Sequence, residues 1–474
     1  MRYRVLIRVR YILTRGRPPA MLGLALAVMS LGGPLVGNTP AAAQPEPSAR
    51  PNILLIVTDD QRSRTMDVMP SVRRYFEREG ITFHNAFATS PLCCPSRASI
   101  MTGRYPHNHG VRRNENADAL VQETTIQHYL QQAGYRTGIA GKYLNSWDEV
   151  VEAPPYFDRW ATIDDSNYGH VYTDFVANVN GAVRSPKGYS NDFIEKRTVS
   201  FLQDFEAEDA DPWFLYVAPF APHKPFTPER KYRSASTPRW DGSPATAEVD
   251  RTDKPSWVQR RFVTLRGARS IARQQHRSLM SVDDMVGDLF EVLGTLDEDR
   301  DTLAFFISDN GYMWGEHGLA SKRFPYTAAT RVPLYVRWPG VLPPGEDDRI
   351  VGNIDLAPTM MAVAGLTPDP EEPMDGKSLL GGDARQEILF EYFGSRVGRD
   401  VPAWASIRSP SYQYVEYYEP TTGVVQFIEY YDLVLDPFQL TNLLADDDPT
   451  NDPPTAVLAI ELQQVRDCSG PSCP

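Results

Sequence analysis

The chain has 474 residues, of which 42% are hydrophobic and 11% aromatic, enough for a packed globular core. Its length exceeds what one hydrophobic core usually supports, which favours a large domain with a smaller one beside it. The formal net charge of −13 argues against nucleic acid and against stable attachment to an anionic membrane, because both partners need a basic surface. An anionic substrate is compatible with this charge, since a few local cations suffice to hold it.

The N-terminal segment 1–43 has the pattern of an export signal peptide. Arginines are frequent between residues 1 and 17, a mainly apolar run follows from 20 to 36, and Ala41–Ala43 offers a cleavage site. A polar linker, 44–50, comes next. The alternative is a retained membrane anchor, which the Gly-Gly-Pro sequence at 32–34 and the short apolar run disfavour. The sequence therefore predicts a protein that is secreted or lies on the exterior of the cell envelope.

Four short apolar runs each end in polar or charged residues, as expected for strands buried in a parallel sheet. The runs are 52–58, 137–140, 213–218 and 303–308, followed by Asp59-Asp60, Gly141-Lys142, a loop with His223, and Asp309-Asn310. Between the last two runs, one face of an amphipathic helix is formed by Leu279, Val282, Val286, Leu289 and Leu293. The alternation predicts an α/β fold with a large, mixed and mostly parallel sheet flanked by helices. Ligands of such sheets bind beyond the carboxyl ends of the strands, so we expect one site there.

The sequence changes in character near residue 375. Segments 412–418 and 424–434 are rich in aromatic and β-branched residues and flank Thr421-Thr-Gly423, which predicts a hairpin of an antiparallel sheet. We therefore expect a catalytic domain over 51–374, a smaller antiparallel subdomain over 375–445, and an exposed tail over 446–474. Cys468 and Cys473 flank a short loop in that tail, which suits a disulfide in an exported protein.

The other two cysteines, Cys93 and Cys94, lie in the segment Pro91-Leu-Cys-Cys-Pro-Ser-Arg-Ala-Ser-Ile-Met-Thr-Gly103. This segment resembles the signature of the formylglycine-dependent sulfatase family, with Cys93 at the modified position and Cys94 at a variable one. The alternatives are core thiols or half of a zinc site. Zinc needs four Cys or His ligands at close spacing, and only these two cysteines occur nearby.

The resemblance implies that a formylglycine-generating enzyme oxidises Cys93 to an aldehyde during maturation. One hydroxyl of the aldehyde hydrate would attack the sulfur of a sulfate ester while the alcohol departs, and the other hydroxyl would then expel sulfate. Pro95 suits the first turn of a helix, so residue 93 would lie at the positive end of that helix. Arg97 would follow about one turn later and contact the hydrate or a sulfate oxygen.

Asp59, Asp60, Asp309 and Asn310 form a set of oxygen ligands without accompanying histidines, which favours Ca²⁺ or Mg²⁺ over zinc. The resemblance favours one Ca²⁺ ion, with residue 93 completing its ligands. Any one of these residues taken alone is more often a helix cap or a loop residue. Their position at two strand ends, together with the signature, favours a metal site.

The resemblance also implies roles for cationic side chains. Lys142 and Lys322 match two active-site lysines that hold the sulfate oxygens, and His223 matches the histidine beside the leaving-group oxygen. His223 is therefore the candidate general acid, with Lys322 beside it. His317 and His109 are weaker candidates for contact with the substrate.

The string Gly141-Lys-Tyr-Leu-Asn145 departs from many family members, which have a histidine where this chain has Leu144. This string and Tyr105-Pro-His-Asn-His109 are similar to those of N-acetylglucosamine-6-sulfatases and extracellular heparan endosulfatases. The similarity implies an alkaline-phosphatase-like fold and, as substrate, a sulfated carbohydrate such as N-acetylglucosamine-6-sulfate. It also makes Asn145 a candidate for the role of the missing imidazole.

Three alternative functions are weighed against this one. An arylsulfatase would use the same site on a simpler ester. A phosphodiester or phosphonate monoester hydrolase of the same superfamily is a second alternative, although many such enzymes use serine or threonine and histidine-rich sites with two metal ions. A non-catalytic carbohydrate-binding protein predicts a degraded site, whereas this site is nearly complete.

Overall fold

The computed structural model describes residues 50–166, 171–207, 211–394 and 401–474, and these belong to one compact unit. The predicted signal peptide, 1–43, lies outside the described residues, as does the linker 44–50 except for Arg50. No helix in the described ranges combines the length and the apolar character needed to cross a membrane.

The described part of the chain forms three sheets and a set of helices. The strands are β1 (Asn52–Thr58), β2 (Ile81–Phe87), β3 (Arg136–Gly141), β4 (Arg159–Ile163), β5 (Ala177–Val179), β6 (Ala182–Arg184), β7 (Trp213–Ala218), β8 (Thr302–Ser308), β9 (Met313–Trp314), β10 (Ala320–Ser321), β11 (Leu334–Arg337), β12 (Gly345–Gly352), β13 (Ile388–Tyr392), β14 (Ala403–Arg408), β15 (Tyr412–Tyr418) and β16 (Val425–Asp432). The α-helices are α1 (Pro70–Val72), α2 (Cys93–Thr102), α3 (Pro106–His109), α4 (Ile126–Gln132), α5 (Ser190–Glu206), α6 (Pro244–Ala247), α7 (Ser256–Gln259), α8 (Leu265–Leu296), α9 (Thr327–Thr330), α10 (Leu356–Val363) and α11 (Thr455–Arg466).

The large sheet has ten strands in the order β12-β2-β11-β8-β1-β7-β3-β4-β5-β6. Its centre is parallel: β1 pairs with β7 and β8, and β3 pairs with β7 and β4, all in the same direction. Antiparallel pairs of β11, β5 and β6 extend it on both sides. The predicted mixed, mostly parallel sheet is therefore confirmed.

The continuous apolar sequence of β1 follows from its position between two layers of helices. Ile53, Leu55 and Val57 face a core shared with α2, α4 and α10, while Leu54 and Ile56 face a second core shared with α5 and α8. The five apolar residues predicted to share a helix face are all fully buried on α8. The amphipathic helix is thus confirmed, and both faces of the sheet are covered.

The parallel centre of the sheet brings distant parts of the chain to one edge. Because β1, β3, β7 and β8 run in the same direction, the segments after Thr58, Gly141, Ala218 and Ser308 emerge side by side. This is the edge at which the sequence predicted a site, and the polar residues that follow these strands line it.

The C-terminal part forms a four-stranded antiparallel sheet in the order β13-β14-β15-β16, which includes the predicted hairpin. The expectation of an exposed tail over 446–474 is wrong for 455–466, which form α11 and pack against β13 and β14. Leu458 and Leu462 are buried there, because residues four apart lie on the same face of a helix. Cys468 and Cys473 form a disulfide with a Cα–Cα distance of 5.1 Å. The domain boundary at 374/375 stays a prediction.

Candidate active site

Helix α2 delivers Cys93 to the edge of the sheet. The helix begins at Cys93 and has Pro95 in its first turn, so residue 93 lies at the helix end that carries partial positive charge. Every residue of α2 is buried. The Ser96 hydroxyl donates to the Asp309 carbonyl and accepts from the Asn353 amide at 2.9 Å, which fixes the helix against the end of β8.

The Cys93 thiol lies between a lysine and a carboxylate. Lys322 Nζ donates to Sγ at 2.8 Å, and the thiol is 3.4 Å from Asp59 Oδ1. Burial and the charge of Asp59 raise the pKa of the Cys93 thiol well above its ordinary value, although both lysines nearby act in the opposite direction. Cysteines that react as thiolates have a lowered pKa. An unmodified Cys93 is therefore poorly suited to act as a nucleophile.

Two buried lysines neutralise the carboxylates that follow β1. Lys142 Nζ donates to Asp59 Oδ2 at 2.6 Å, and Lys322 Nζ donates to Asp60 Oδ1. Burial opposes ionisation of Asp59, but the surrounding cations, Lys142 first, hold its pKa well below the ordinary value. Asp60 adopts a φ of +67°, a strained backbone conformation of the kind that functional sites retain.

Arg97 lies behind the carboxylates. Its Nε donates to Asp309 Oδ2 at 2.8 Å, and its Nη1 donates to the Tyr216 hydroxyl and to the Lys142 carbonyl at 3.2 Å each. The side chain is completely buried. Burial and the charge of Asp59 raise the pKa of Asp309 to about 6, and Arg97 opposes that rise. In this structure Arg97 orients Asp309, and its contact with the hydrate of residue 93 or with a sulfate oxygen stays a prediction.

The acidic cluster has the donor atoms that a hard cation requires. Ligand atoms of Asp59, Asp60, Cys93 and His223 all lie within 4.8 Å of one another. Asn310 adjoins them, because its Nδ2 donates to Asp60 Oδ1 at 2.7 Å. The Asn310 Oδ1 atom is buried without a hydrogen-bond partner, so this oxygen is available as a metal ligand. The oxygen atoms of Asp59, Asp60 and Asn310 fit Ca²⁺ or Mg²⁺, whereas the expectation that no histidine accompanies them is wrong, because His223 reaches the cluster.

His223 approaches the same cluster from the loop after β7. Its Nδ1 lies 2.6 Å from the Lys224 carbonyl, which only accepts, so Nδ1 carries a proton. Its Nε2 faces Asp60 Oδ2 at 3.7 Å. Burial lowers the pKa of His223, and the charges of Asp59 and Asp60 partly oppose that effect. The imidazole therefore stands at the site with Nε2 directed toward the carboxylates.

A cavity of about 780 Å³ opens over this cluster, and we call it the strand-end cavity. Lys322, His223 and Asn145 line it, and Asn145 Nδ2 donates to Asp165 Oδ2 at 2.9 Å. Asp165, whose pKa burial raises to about 6, is a site residue that the sequence did not predict. It follows β4, which is parallel to β3, so the rule about strand ends would have found it had β4 been recognised.

Two predicted substrate contacts lie elsewhere. His109 is buried in α3, with Nε2 at 3.1 Å from Ser99 Oγ and Nδ1 accepting from the Val111 amide, and burial lowers its pKa to about 3. His317 Nδ1 lies 2.9 Å from Glu248 Oε2. Neither histidine is among the described residues that line the strand-end cavity. The structure thus brings together every other predicted site residue but not these two.

A strand end with two buried lysines and a carboxylate cluster that fits a cation is suited to the hydrolysis of anionic esters. The chain matches the sulfatase family model over residues 51–366 and the model for the C-terminal region of N-sulphoglucosamine sulphohydrolase over 315–467. It is 30% identical to the N-acetylglucosamine-6-sulfatase of Homo sapiens, over 95% of this chain and 90% of the relative. It is 33% identical to the extracellular sulfatase SULF-1 homolog of Drosophila melanogaster, over 70% of this chain and 31% of that protein. The chain belongs to the sulfatase family and is a sulfuric ester hydrolase.

Solved structures share the fold. One, described as a complex with its substrate D-glucosamine-2-N,6-O-disulfate, has a TM-score of 0.73 at 23% identity and covers 87% of this chain and 97% of that chain. The phosphonate monoester hydrolase of Silicibacter pomeroyi has a TM-score of 0.66 at 21% identity, with coverages of 88% and 94%. Sulfatases and phosphonate hydrolases therefore share this architecture, and the choice between their reactions depends on the site.

Proposed function

We propose that this sulfatase hydrolyses the 6-sulfate of an N-acetylglucosamine-type sugar, using formylglycine derived from Cys93 and one bound Ca²⁺ ion. The observation that carries the proposal is the contact of Cys93 with Lys322, which lines the strand-end cavity. The sugar is inferred from relatives named N-acetylglucosamine-6-sulfatase, including the human protein and a Bacteroides thetaiotaomicron protein 26% identical over 90% of this chain.

The modification of Cys93 is supported by its environment. A thiol with a raised pKa is a weak nucleophile, whereas an aldehyde hydrate at the same position supplies a hydroxyl nucleophile and a second hydroxyl for release of sulfate. Lys322, which donates to residue 93, would hold that group and the sulfate oxygens in line. Cys94 is buried beside the Asn145 carbonyl, outside the cluster of possible metal ligands.

The proposed Ca²⁺ site consists of Asp59, Asp60, Asp309 and Asn310, with residue 93 beside them. The unpartnered Oδ1 of Asn310 and the carboxylates supply the oxygen ligands that a hard cation prefers. Such an ion polarises a bound sulfate group and favours ionisation of a nearby hydroxyl. Arg97 keeps one carboxylate of the set oriented through its bond to Asp309.

The remaining side chains would stabilise the negative charge of the sulfate group and donate a proton to the departing alcohol. Lys142 and Lys322 place fixed positive charge where the sulfate oxygens lie. His223, when doubly protonated, would donate from Nε2 to the oxygen of the departing alcohol. Asn145 and Asp165, paired on the cavity wall, would contact the sugar hydroxyls. The tail disulfide and the extracellular relative support secretion, with the signal peptide as the proposed route.

Mass spectrometry of the tryptic peptide 79–97 tests the modification. In protein from a host with a formylglycine-generating enzyme, we expect a hydrazide reagent to label Cys93 of the wild type and of Cys94→Ala. The Cys93→Ala protein should remain unlabelled and inactive. Labelling that persists in Cys93→Ala, or an active enzyme with an intact Cys93 thiol, would refute the proposed nucleophile.

A substrate panel tests the reaction and the sugar. We expect N-acetylglucosamine-6-sulfate to be turned over faster than an aryl sulfate, and both faster than the matched phosphate monoester and diester. A preference for the aryl sulfate would make the protein an arylsulfatase. A preference for phosphorus esters or phosphonates would contradict the assignment of sulfate as the substrate group.

A further inference from the structure

A second cavity of about 640 Å³ lies apart from the strand-end cavity, and we call it the arginine cavity. None of its described lining residues also lines the strand-end cavity. It lies between the segment after β1, the loop before α8 and the loop 437–439 after β16. Its volume falls within the range of roughly 300–1,000 Å³ that small-molecule sites have.

Four arginines line this cavity, in a protein whose net charge is −13. Arg62 and Arg239 have carboxylate partners, Glu316 at 2.5 Å and Asp241 at 2.7 Å. Within the described ranges, Arg64 and Arg331 are not within ion-pair distance of any carboxylate. Two acidic residues, Asp67 and Glu316, also line the cavity, so its four arginines leave the lining with a net positive charge.

The surroundings of Arg331 disfavour its positive charge. Its Nη2 donates to Asn85 Oδ1 at 3.0 Å, but its Nε is buried without a hydrogen-bond partner. Burial and the charge of Arg64 lower the pKa of Arg331 to about 10. The guanidinium of Arg408 lies near the same ring, because the Arg331 and Arg408 Cζ atoms are 5.4 and 5.0 Å from the centroid of Phe87. An oxyanion bound here would satisfy a donor and relieve repulsion between like charges.

The neighbouring wall is aromatic and held in place. The Arg62 guanidinium lies 4.8 Å from the ring of Trp240 and 4.9 Å from that of Trp314. Glu316 accepts from both Arg62 and the Trp314 amide, which fixes this stack. Trp314 is buried, Trp240 is partly exposed, and Phe438, which also lines the cavity, is 43% exposed. A fixed cation beside accessible ring surface of this kind suits a ligand that combines an anionic group with a ring.

We propose that the arginine cavity is a second binding site for a sulfated saccharide, in which Arg64 and Arg331 bind a sulfate group and the Trp240 wall contacts the sugar. The choice of sulfate and sugar rests on the proposed function, whereas the positive charge and the unpartnered donor do not. A saccharide bound in this way would be retained by the enzyme through a sulfate other than the one being removed.

Isothermal titration calorimetry on the full chain tests the site, with Cys93→Ala throughout so that the ligand is not consumed. The probes are a sulfated heparin disaccharide, the same disaccharide without sulfate, and inorganic sulfate. We expect a second binding event with the sulfated disaccharide and with neither of the other two probes. Arg64→Gln should weaken that event about tenfold or more, because a charge-assisted hydrogen bond is lost. The matched control is Arg184→Gln on the exposed strand β6, which should leave both events unchanged.

The melting temperature without ligand shows whether a variant that binds less tightly is also less stably folded. Arg64→Gln should melt at the same temperature as the parent or higher, since it removes a charge that repels Arg331. A single binding event, or equal affinities in Arg64→Gln and Arg184→Gln, would overturn the proposal. Equally tight binding of inorganic sulfate would also overturn it, because the sugar would then contribute nothing. Absence of sulfate ester hydrolysis by the protein that retains Cys93, with the second binding event intact in Cys93→Ala, would refute the proposed function alone.

Discussion

Lys322 Nζ lies 2.8 Å from Cys93 Sγ, although the two residues are 229 positions apart in the chain. The same ammonium group donates to Asp60, so it connects the residue that is the proposed nucleophile precursor with the proposed metal ligands. Burial opposes its charge, yet Asp60 and the other anionic groups raise the pKa of Lys322 far above the ordinary value. Lys322 is therefore held in its cationic form beside the proposed nucleophile precursor.

Lys322→Ala should lower kcat/KM by roughly 10²–10³-fold, because a fixed charge aimed at the reacting oxygens is lost. The matched control is Lys187→Ala, which removes an exposed lysine from the loop after β6. Initial rates on a sulfate ester check both. Activity of the Lys322 variant within twofold of wild type would remove this lysine from the proposed machinery.

Calcium should stabilise the protein, because the ion binds oxygen ligands that exist together only in the folded state. At a free concentration about 100 times Kd, the stabilisation expected is about 2.7 kcal/mol. Asn310→Ala removes the unpartnered Oδ1 ligand and should reduce the shift in Tm, whereas Asn451→Ala in the exposed C-terminal segment should not. Differential scanning fluorimetry with calcium and with a chelator measures this. An equal shift in both variants would argue against the assigned ligand set.

His223→Gln should affect substrates according to their leaving group. Loss of a general acid typically costs about 10²–10⁴-fold, and the loss should be large for a sugar sulfate, whose alcohol needs a proton to depart. It should be much smaller for a nitrophenyl sulfate, whose leaving group departs as a stable anion. His84→Gln is the control, since the His84 side chain is 45% exposed on β2. Equal losses on both substrates would contradict the role of His223.

The buried Glu149 should make stability depend on pH. Burial first, and then the charge of Asp165, raise the pKa of Glu149 from 4.5 to about 10. Between these values the folded protein holds a proton that the unfolded chain has lost, so rising pH favours unfolding, by up to about 1.4 kcal/mol per pH unit. Glu149→Gln should abolish this slope and be the more stable protein at about pH 8.

Urea unfolding at about pH 6 and about pH 8 measures the effect, because the difference between the two proteins should grow with pH. Glu152→Gln, three residues later and exposed, serves as the control for loss of one carboxylate. Parallel pH profiles for wild type and Glu149→Gln would show that Glu149 is ionised in the folded protein.

The sequence by itself determined the elements whose signals are local. The apolar run of β1 is explained by its burial between two cores, and the adjacent Asp59-Asp60 gave the position of the acidic cluster. Pro95 marked the first turn of α2, so the placement of Cys93 at a helix end followed from a few residues. The hairpin of β15 and β16 was likewise visible in its aromatic residues and its turn.

Only the tertiary structure decided which distant side chains meet. Lys322 reaches Asp60 across 262 positions, a contact that depends on strand order and on the path of the loop after β8. The sequence made three histidines candidates for contact with the substrate, but they lie in different places. His223 reaches the cluster, His109 is buried against Ser99, and His317 pairs with Glu248. Side-chain direction in a folded chain is set by packing with residues far away in sequence, and no local pattern contains that information.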